Sequence, residues 1–208
     1  MKLEETAKTR GRPKAVRRDQ VLDCAVMQYW SNGPADVSIN DICKKLGASK
    51  PGIYREFGSD DGLKAAAFLA YEALVIEPFL ALFNPAQPLP KTLEAIVTFL
   101  MQGREEMGIP KGCLFVTMRA QRERLGAETL EVLDKSREQF LTRIVSWVGA
   151  TKQAGVFRQD IPTKTAAHQI DALHAGAMRM QMENTPAKEV EDFLKLGLAS
   201  ISGETSRG

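Results

Sequence analysis

The sequence has 208 residues, of which 44% are hydrophobic and 26% charged, and its formal net charge is +2. This ordinary globular composition excludes wholesale disorder, a collagen-like fibre and a disulfide-rich scaffold. No apolar run approaches the roughly 18 residues of a membrane-spanning helix, and we expect no membrane partner.

The three cysteines, Cys24, Cys43 and Cys113, lack the short paired spacings of zinc sites and redox motifs. The N-terminal residues lack the apolar segment that is typical of a signal peptide. We therefore expect a cytoplasmic protein with reduced thiols.

The positive charge is concentrated near the N-terminus. Residues 8–18 carry six Lys or Arg and no acid, and residues 1–15 are predicted to form a basic flexible arm. Arg10, Arg12 and Lys14 are candidate DNA contacts, because an extended Arg-Gly-Arg-Pro segment is thin enough for the minor groove. The alternative is a solubilising tail.

Three short helices follow the arm. Apolar residues from Val21 to Trp30 recur at helical spacing, and Gly33-Pro34 ends that helix. Ser38 then begins a second helix with a capping box to Asp41. A third helix begins at Ser49 with a proline in its first turn, as helices tolerate.

Residues 16–60 are therefore predicted to be a helix-turn-helix DNA-binding domain. In this motif the N-terminal residues of the second helix of the pair face the bases of the major groove. Here that segment is 49–55, which contains a Lys, an Arg, a hydroxyl and a glycine. A small three-helix bundle that binds nothing is the alternative.

The stretch from Ile39 to Ser59, INDICKKLGASKPGIYREFGS, resembles the DNA-binding signature of the TetR/AcrR family of transcriptional regulators. The resemblance implies a homodimer, a palindromic operator and repression that a small molecule relieves. It also implies DNA contacts from residues of the second and third helices: Ser38, Ser49, Lys50, Pro51, Gly52, Tyr54 and Arg55.

Two residues depart from the family pattern. Asp60 follows the serine that opens the fourth helix, where the family usually has a lysine, and Glu56 replaces a non-acidic residue. Both lower the positive potential beside DNA, and the basic arm is expected to compensate.

Residues 61–208 are predicted to form a helical ligand-binding and dimerisation domain, so the fold class is all-α. We expect helices at 60–83, 91–107, 113–124, 127–154, 163–183 and 187–202, separated by Gly and Pro breaks. The last two carry apolar stripes that fit a dimer interface or an intramolecular core: Ile170, Leu173, Ala177, Met180, Val190, Leu194, Gly197 and Ile201.

A ligand pocket is expected in the same region. Its candidate lining residues are aromatic, Met, Cys or His side chains that could equally be core: Phe99, Met101, Cys113, Phe115, Met118, Phe140, Trp147, His174 and Met178. Flexible thioethers suit an adaptable apolar pocket.

Cys113 follows Lys111 and begins a predicted helix, and both features lower the pKa of a thiol. Lys-Gly-Cys here resembles a TetR-like subgroup in which some members sense electrophiles or oxidants. A structural cysteine is the alternative.

Nothing in the sequence indicates an enzyme, a cofactor or a metal. His168 and His174 are six residues apart, which is about 240° around a helix, so they cannot bind one metal ion together. No phosphate-binding glycine loop, metal-ligand cluster or Gly-x-Ser-x-Gly elbow occurs. The sequence predicts a ligand-responsive repressor; an architectural DNA-binding protein without a ligand is the remaining alternative.

Overall fold

The computed structural model describes residues 17–103 and 108–203. Within these ranges the regular structure is helical and no strand occurs, which confirms the all-α prediction. The predicted arm, residues 1–15, lies outside the described residues together with Arg10, Arg12 and Lys14.

The helices in chain order are α1 (Arg18–Asn32), α2 (Ile39–Leu46), α3 (Lys50–Phe57), α4 (Asp60–Tyr71), α5 (Glu77–Ala81), α6 (Leu89–Met101), α7 (Leu114–Ala120), α8 (Ala127–Gln153), α9 (Thr163–Met182) and α10 (Ala187–Ser202). A π-helical turn, Glu72–Ile76, joins α4 to α5, and a 3₁₀ turn, Arg122–Arg124, follows α7.

Helices α1 to α3 form the expected helix-turn-helix unit. The capping box that begins α2 is present: the Ser38 amide donates to Asp41 Oδ2 at 2.9 Å, and the Asp41 amide donates to Ser38 Oγ at 3.3 Å. Gly47 ends α2 in a left-handed conformation, φ +63°, which glycine adopts without strain. The chain can therefore turn directly into α3.

The fourth helix joins this unit to the rest of the chain. Ser59 caps α4 as expected, accepting from the Gly62 amide at 2.7 Å. Asp61 caps a different helix: its carboxylate accepts from the Gly126 and Glu128 amides at the start of α8, at 3.1 and 2.8 Å. An acidic side chain suits the positive end of the α8 dipole.

The second part of the chain packs its helices around an aromatic core. The Phe79 ring lies 5.2 Å from His174 and 6.0 Å from Phe140, centroid to centroid. Phe140 in turn lies 5.6 Å from Phe115. Among the predicted helices, 60–83 is interrupted by the π-helical turn, and 91–107 ends early, at Met101.

Helices α9 and α10 form a hairpin that packs on this core. No helix in the described part of the chain has the length and apolarity needed to cross a membrane.

Candidate DNA-binding and effector sites

Of the predicted DNA-contacting residues, those that the structure describes lie on the surface of the helix-turn-helix unit. Ile53 and Phe57 of α3 are buried against the unit's core, at 2% and 8% exposure. The opposite face of α3 and the starts of α2 and α3 are open to solvent. The exposed residues there are Ser38, Ser49, Lys50, Pro51, Tyr54 and Arg55, and Gly52 is half-buried among them.

Local contacts leave these side chains able to meet DNA. The Lys50 ammonium lies 5.7 Å from the centre of the Tyr54 ring, within the range of a weak cation–π interaction. Arg55 Nε lies 3.9 Å from Glu56 Oε1, and an exposed pair of this kind contributes at most about 1 kcal/mol. Competition from Glu56 for Arg55 is therefore small.

The structure adds two cations that sequence reasoning did not single out. Lys44 and Lys45 are exposed in the last turn of α2, directly before the turn into α3. The sequence does show this pair of lysines at the end of a predicted helix. Lysines at a helix C-terminus are equally well explained by their favourable interaction with the helix dipole. Asp60, one of the two departures from the family pattern, accepts from Lys64 Nζ at 2.6 Å, which offsets its negative charge.

Direct hydrogen bonds connect this DNA-binding unit to the second part of the chain. Trp30 Nε1 of α1 donates to the Gly112 carbonyl at 3.2 Å, in a buried contact. The Ala35 amide, in the loop between α1 and α2, donates to Gln121 Oε1 at 3.2 Å, and Arg124 Nη2 donates to the Ala35 carbonyl at 3.2 Å. These hydrogen bonds connect the segment from 112 to 124 directly to α1 and its following loop.

The predicted ligand-lining residues are mostly packed core. Seven are buried at 3% exposure or less: Cys113, Phe115, Met118, Phe140, Trp147, His174 and Met178. Phe99 and Met101 are half-buried. Phe99, Cys113, His174 and Met178 share the wall of a cavity of about 10 Å³, which holds at most one water molecule. In this structure these side chains pack against one another as a core, which was the alternative interpretation.

Cys113 lies at the start of α7, as the sequence predicts, and is buried. It precedes α7 and is only 2% exposed, and its Sγ accepts from the Tyr71 hydroxyl at 3.1 Å. The Lys111 ammonium, the expected neighbour of the thiol, donates to Asn184 Oδ1 at 2.7 Å. A phenol therefore donates one hydrogen bond to the sulfur.

Burial within the chain also separates the eight predicted interface residues into two sets. Five lie in the core at 2% exposure or less: Ile170, Ala177, Val190, Leu194 and Ile201. For these five, the structure supports the intramolecular alternative, because their side chains already contact neighbours within the chain. Leu173, Met180 and Gly197 remain partly accessible.

Two family models match the chain. Residues 21–67 match the model described as bacterial regulatory proteins, tetR family. Residues 88–193 match the tetracyclin repressor-like C-terminal domain. Together they cover both the helix-turn-helix unit and most of the helices that follow it.

Individual proteins match as well. The HTH-type transcriptional repressor ComR of Escherichia coli is 39% identical over 64 residues, which cover 31% of this chain and 30% of ComR. A TetR-family regulator from Agrobacterium tumefaciens superposes with a TM-score of 0.77 at 17% identity, covering 88% of this chain and 96% of that one. A CifR cysteine mutant solved with 26-bp operator DNA superposes with a TM-score of 0.76 at 18% identity, covering 92% and 100%.

Proposed function

The chain belongs to the TetR family of bacterial regulatory proteins, DNA-binding transcription factors without enzymatic activity, and on that premise we propose that it is a homodimeric repressor. It binds a palindromic operator and is released by a small-molecule effector. The observation that carries this proposal is the recognition surface, defined as Ser38 and residues 49–55, whose polar side chains are exposed together on a buried apolar support.

Each part of the recognition surface has a role in DNA recognition. Lys50 and Arg55 suit guanine O6 and N7 in the major groove, since these are the commonest specific contacts. Tyr54 and Ser38 suit phosphate oxygens, which set the register without reading sequence. Arg10 and Arg12 extend the contact into the adjacent minor groove.

The dimer is proposed to form through the outer face of α9 and α10. Leu196 is 73% exposed and Phe193 36% exposed on α10. Gly176 and Gly197 let α9 and α10 approach each other closely within the chain: a Cβ on Gly176 would lie 3.0 Å from the Phe193 ring, and one on Gly197 would lie 2.3 Å from Leu173. A two-fold axis along this face pairs it with itself.

A charged substitution on this face of α10 tests whether the dimer forms there. Leu196→Glu would place a carboxylate in the interface, so we expect a monomer by light scattering at micromolar concentration. Leu74→Glu is the matched control, because Leu74 is 68% exposed and belongs to the π-helical turn, not to α9 or α10. A dimer that survives Leu196→Glu contradicts this choice of face.

Release is proposed to follow from a population shift. An effector that prefers one position of the segment from 112 to 124 biases α1 and the loop after it through Trp30, Gln121 and Arg124. The two recognition surfaces of the dimer then no longer match half-sites one helical turn, about 34–36 Å, apart.

Selection of bound fragments from genomic DNA tests the function. We expect enrichment of one palindromic sequence bound about 10³-fold or more tightly than unrelated DNA. An architectural protein, the other candidate from the sequence, would instead enrich fragments that share no sequence.

The Tyr71–Cys113 contact supports a second candidate, a regulator that responds to oxidants through Cys113. Cys113 directly precedes α7, and the Tyr71 hydroxyl donates a hydrogen bond to its Sγ at 3.1 Å. We expect hydrogen peroxide to release operator DNA from the wild type and from Cys24→Ser, and not from Cys113→Ser. Full release from Cys113→Ser contradicts this candidate.

A further inference from the structure

The N-termini of two helices, α4 and α8, meet where the DNA-binding unit joins the second part of the chain. We call this place the α4–α8 junction and define it as residues 58–62 and 126–129. The N-terminus of each helix carries partial positive charge, so negative charge between the two is favourable. Asp61 of α4 and Glu128 of α8 supply two carboxylates there.

Each of these carboxylates contacts the helix to which it does not belong. Asp61 accepts from the Gly126 and Glu128 amides, and it also accepts from the Thr129 amide at 3.4 Å. The Thr129 hydroxyl donates to the Asp61 carbonyl at 3.1 Å. In the opposite direction, Glu128 Oε1 accepts from the hydroxyl of Ser59, the cap of α4, at 3.0 Å. The starts of the two helices are therefore connected in both directions.

A glycine at the start of α8 permits this close approach. Gly126 has φ −83°, a value that any residue adopts, yet a Cβ there would lie 2.3 Å from Asp61 Cγ. Gly126 also has no side chain with which to cap α8. The glycine is therefore required by the approach of Asp61 and not by the backbone conformation, and the cap of α8 comes from the DNA-binding side of the junction.

The junction lies directly after the recognition helix. Helix α3 ends at Phe57, and only Gly58 separates it from Ser59. The Ser59 amide donates to the Phe57 carbonyl at 2.8 Å. A Cβ at Gly62 would lie 2.1 Å from the same carbonyl oxygen, so α3 and α4 meet closely at this corner. On the other side, α8 continues from the junction for 27 residues and reaches the aromatic core with Phe140. One continuous helix therefore connects the core to the end of α3.

We propose that Asp61 is a positioning residue for operator binding. Through the α4–α8 junction it fixes the orientation of each recognition surface relative to the core, and this sets the half-site spacing that the dimer accepts. Without the cap, the DNA-binding unit takes a wider range of orientations. Binding at the matched spacing then loses the advantage of preorganisation, and binding at altered spacings improves relative to it. The proposal rests on the proposed function, because half-site spacing has meaning only for a dimer on a two-fold operator.

Operators of altered spacing test this role. Fluorescence anisotropy compares the operator selected from genomic DNA with two derivatives, in which one base pair is added or removed at the centre. We expect the wild type to bind the derivatives at least about tenfold more weakly than the operator. Asp61→Ala should lower this ratio at least about threefold and also weaken binding to the operator itself. An unchanged ratio in Asp61→Ala, or equal binding of all three duplexes by the wild type, overturns the proposal.

A destabilised control separates positioning from folding. Leu93→Ala removes a buried side chain from α6, which belongs to neither arm of the junction, so it lowers the urea midpoint of the whole chain. We expect it to keep the wild-type ratio, because an unfolded fraction weakens binding to all three duplexes by the same factor. Asp61→Asn keeps one acceptor oxygen and should restore part of the ratio lost in Asp61→Ala. Equal falls in the ratio for Leu93→Ala and Asp61→Ala overturn the positioning role.

Hydrogen exchange of the full chain without DNA tests the junction independently of the proposed function. The amides of Gly126, Glu128 and Thr129 lose their acceptor in Asp61→Ala. We expect their exchange to accelerate at least about fivefold more than in Leu93→Ala, which reports the effect of lower global stability. Equal acceleration in the two variants overturns the cap and the proposal with it. A wild type that binds no palindromic DNA overturns the proposed function, and hydrogen exchange then still decides whether Asp61 holds the junction.

Discussion

Asp171 holds three helices together at a buried ion pair, and its removal is expected to destabilise the fold severely. The residue is 4% exposed on α9. Its carboxylate accepts from Arg119 Nη1 and Nη2 of α7 at 2.8 and 3.1 Å, and from Arg137 Nη1 of α8 at 2.8 Å. Asp171→Asn keeps the shape of the side chain and removes its charge.

The size of the loss follows from burial. Removing one partner of a buried ion pair costs about 3–5 kcal/mol, because the other charge is left uncompensated. The side chains of Arg119 and Arg137 are 22% and 30% exposed, so each guanidinium regains some water. We therefore expect Asp171→Asn to lower the free energy of unfolding by about 3 kcal/mol, the low end of that range.

A second ion pair of nearly the same geometry provides the control. Arg122 donates to both oxygens of Asp134 at 2.9 and 3.2 Å, but the two side chains are 50% and 54% exposed. Asp134→Asn should cost less than about 1 kcal/mol. Urea denaturation followed by circular dichroism, at one protein concentration for all variants, measures both losses. Equal losses would refute the reasoning, since burial is what distinguishes the pairs.

Three further predictions use the same denaturation assay. Burial raises the pKa of Asp171, but the hydrogen bond from Arg119 and the charges of both arginines outweigh it and lower the pKa. The stability that the Asp171 carboxylate contributes is therefore complete above its unfolded pKa of about 4 and is lost as pH falls through its pKa in the folded protein. If the stability difference between the wild type and Asp171→Asn is as large in acid as at neutral pH, this prediction is contradicted. Asp61→Ala removes the cap of α8 and should cost about 2 kcal/mol; an unchanged midpoint would count against an interdomain cap. Ser38→Ala breaks the capping box of α2 and should cost about 1 kcal/mol, whereas a loss no larger than that of an exposed mid-helix Ser→Ala would contradict this role.

Local signals predicted the helix-turn-helix unit closely. Ser38 with Asp41, the glycine after α2 and the proline in the first turn of α3 each act within a few residues, so their effect is visible in sequence. The resemblance to the family then assigned the recognition surface.

Contacts distant in sequence could not be predicted in the same way. Asp61 lies in the first turn of its own helix, α4, yet it caps a helix 65 residues further on. Trp30 and Gly112 are 82 residues apart. An apolar stripe shows that a helix face is buried, not what buries it, which is why the stripes of α9 and α10 fitted a core and an interface equally well.

The ligand site shows the same limit. The aromatic and Met residues of 61–208 mark where apolar side chains gather, and the chain fills that space with its own rings. A larger cavity, of about 260 Å³, lies where the ends of α6 and α9 meet the start of α10, and of the residues predicted to line a ligand site only Met101 borders it. No periodicity in the sequence marks such a place.

The specificity ratio of the recognition surface tests the central claim most directly. Fluorescence anisotropy gives the affinity for the selected operator and for a scrambled duplex at one salt concentration. Combined Lys50→Ala and Arg55→Ala substitutions should lower the ratio of these affinities at least about tenfold, since base contacts each contribute about 1–3 kcal/mol. Arg143→Ala, on the exposed surface of α8, should leave it unchanged. An unchanged ratio in the Lys50 and Arg55 variant would contradict sequence reading by α3.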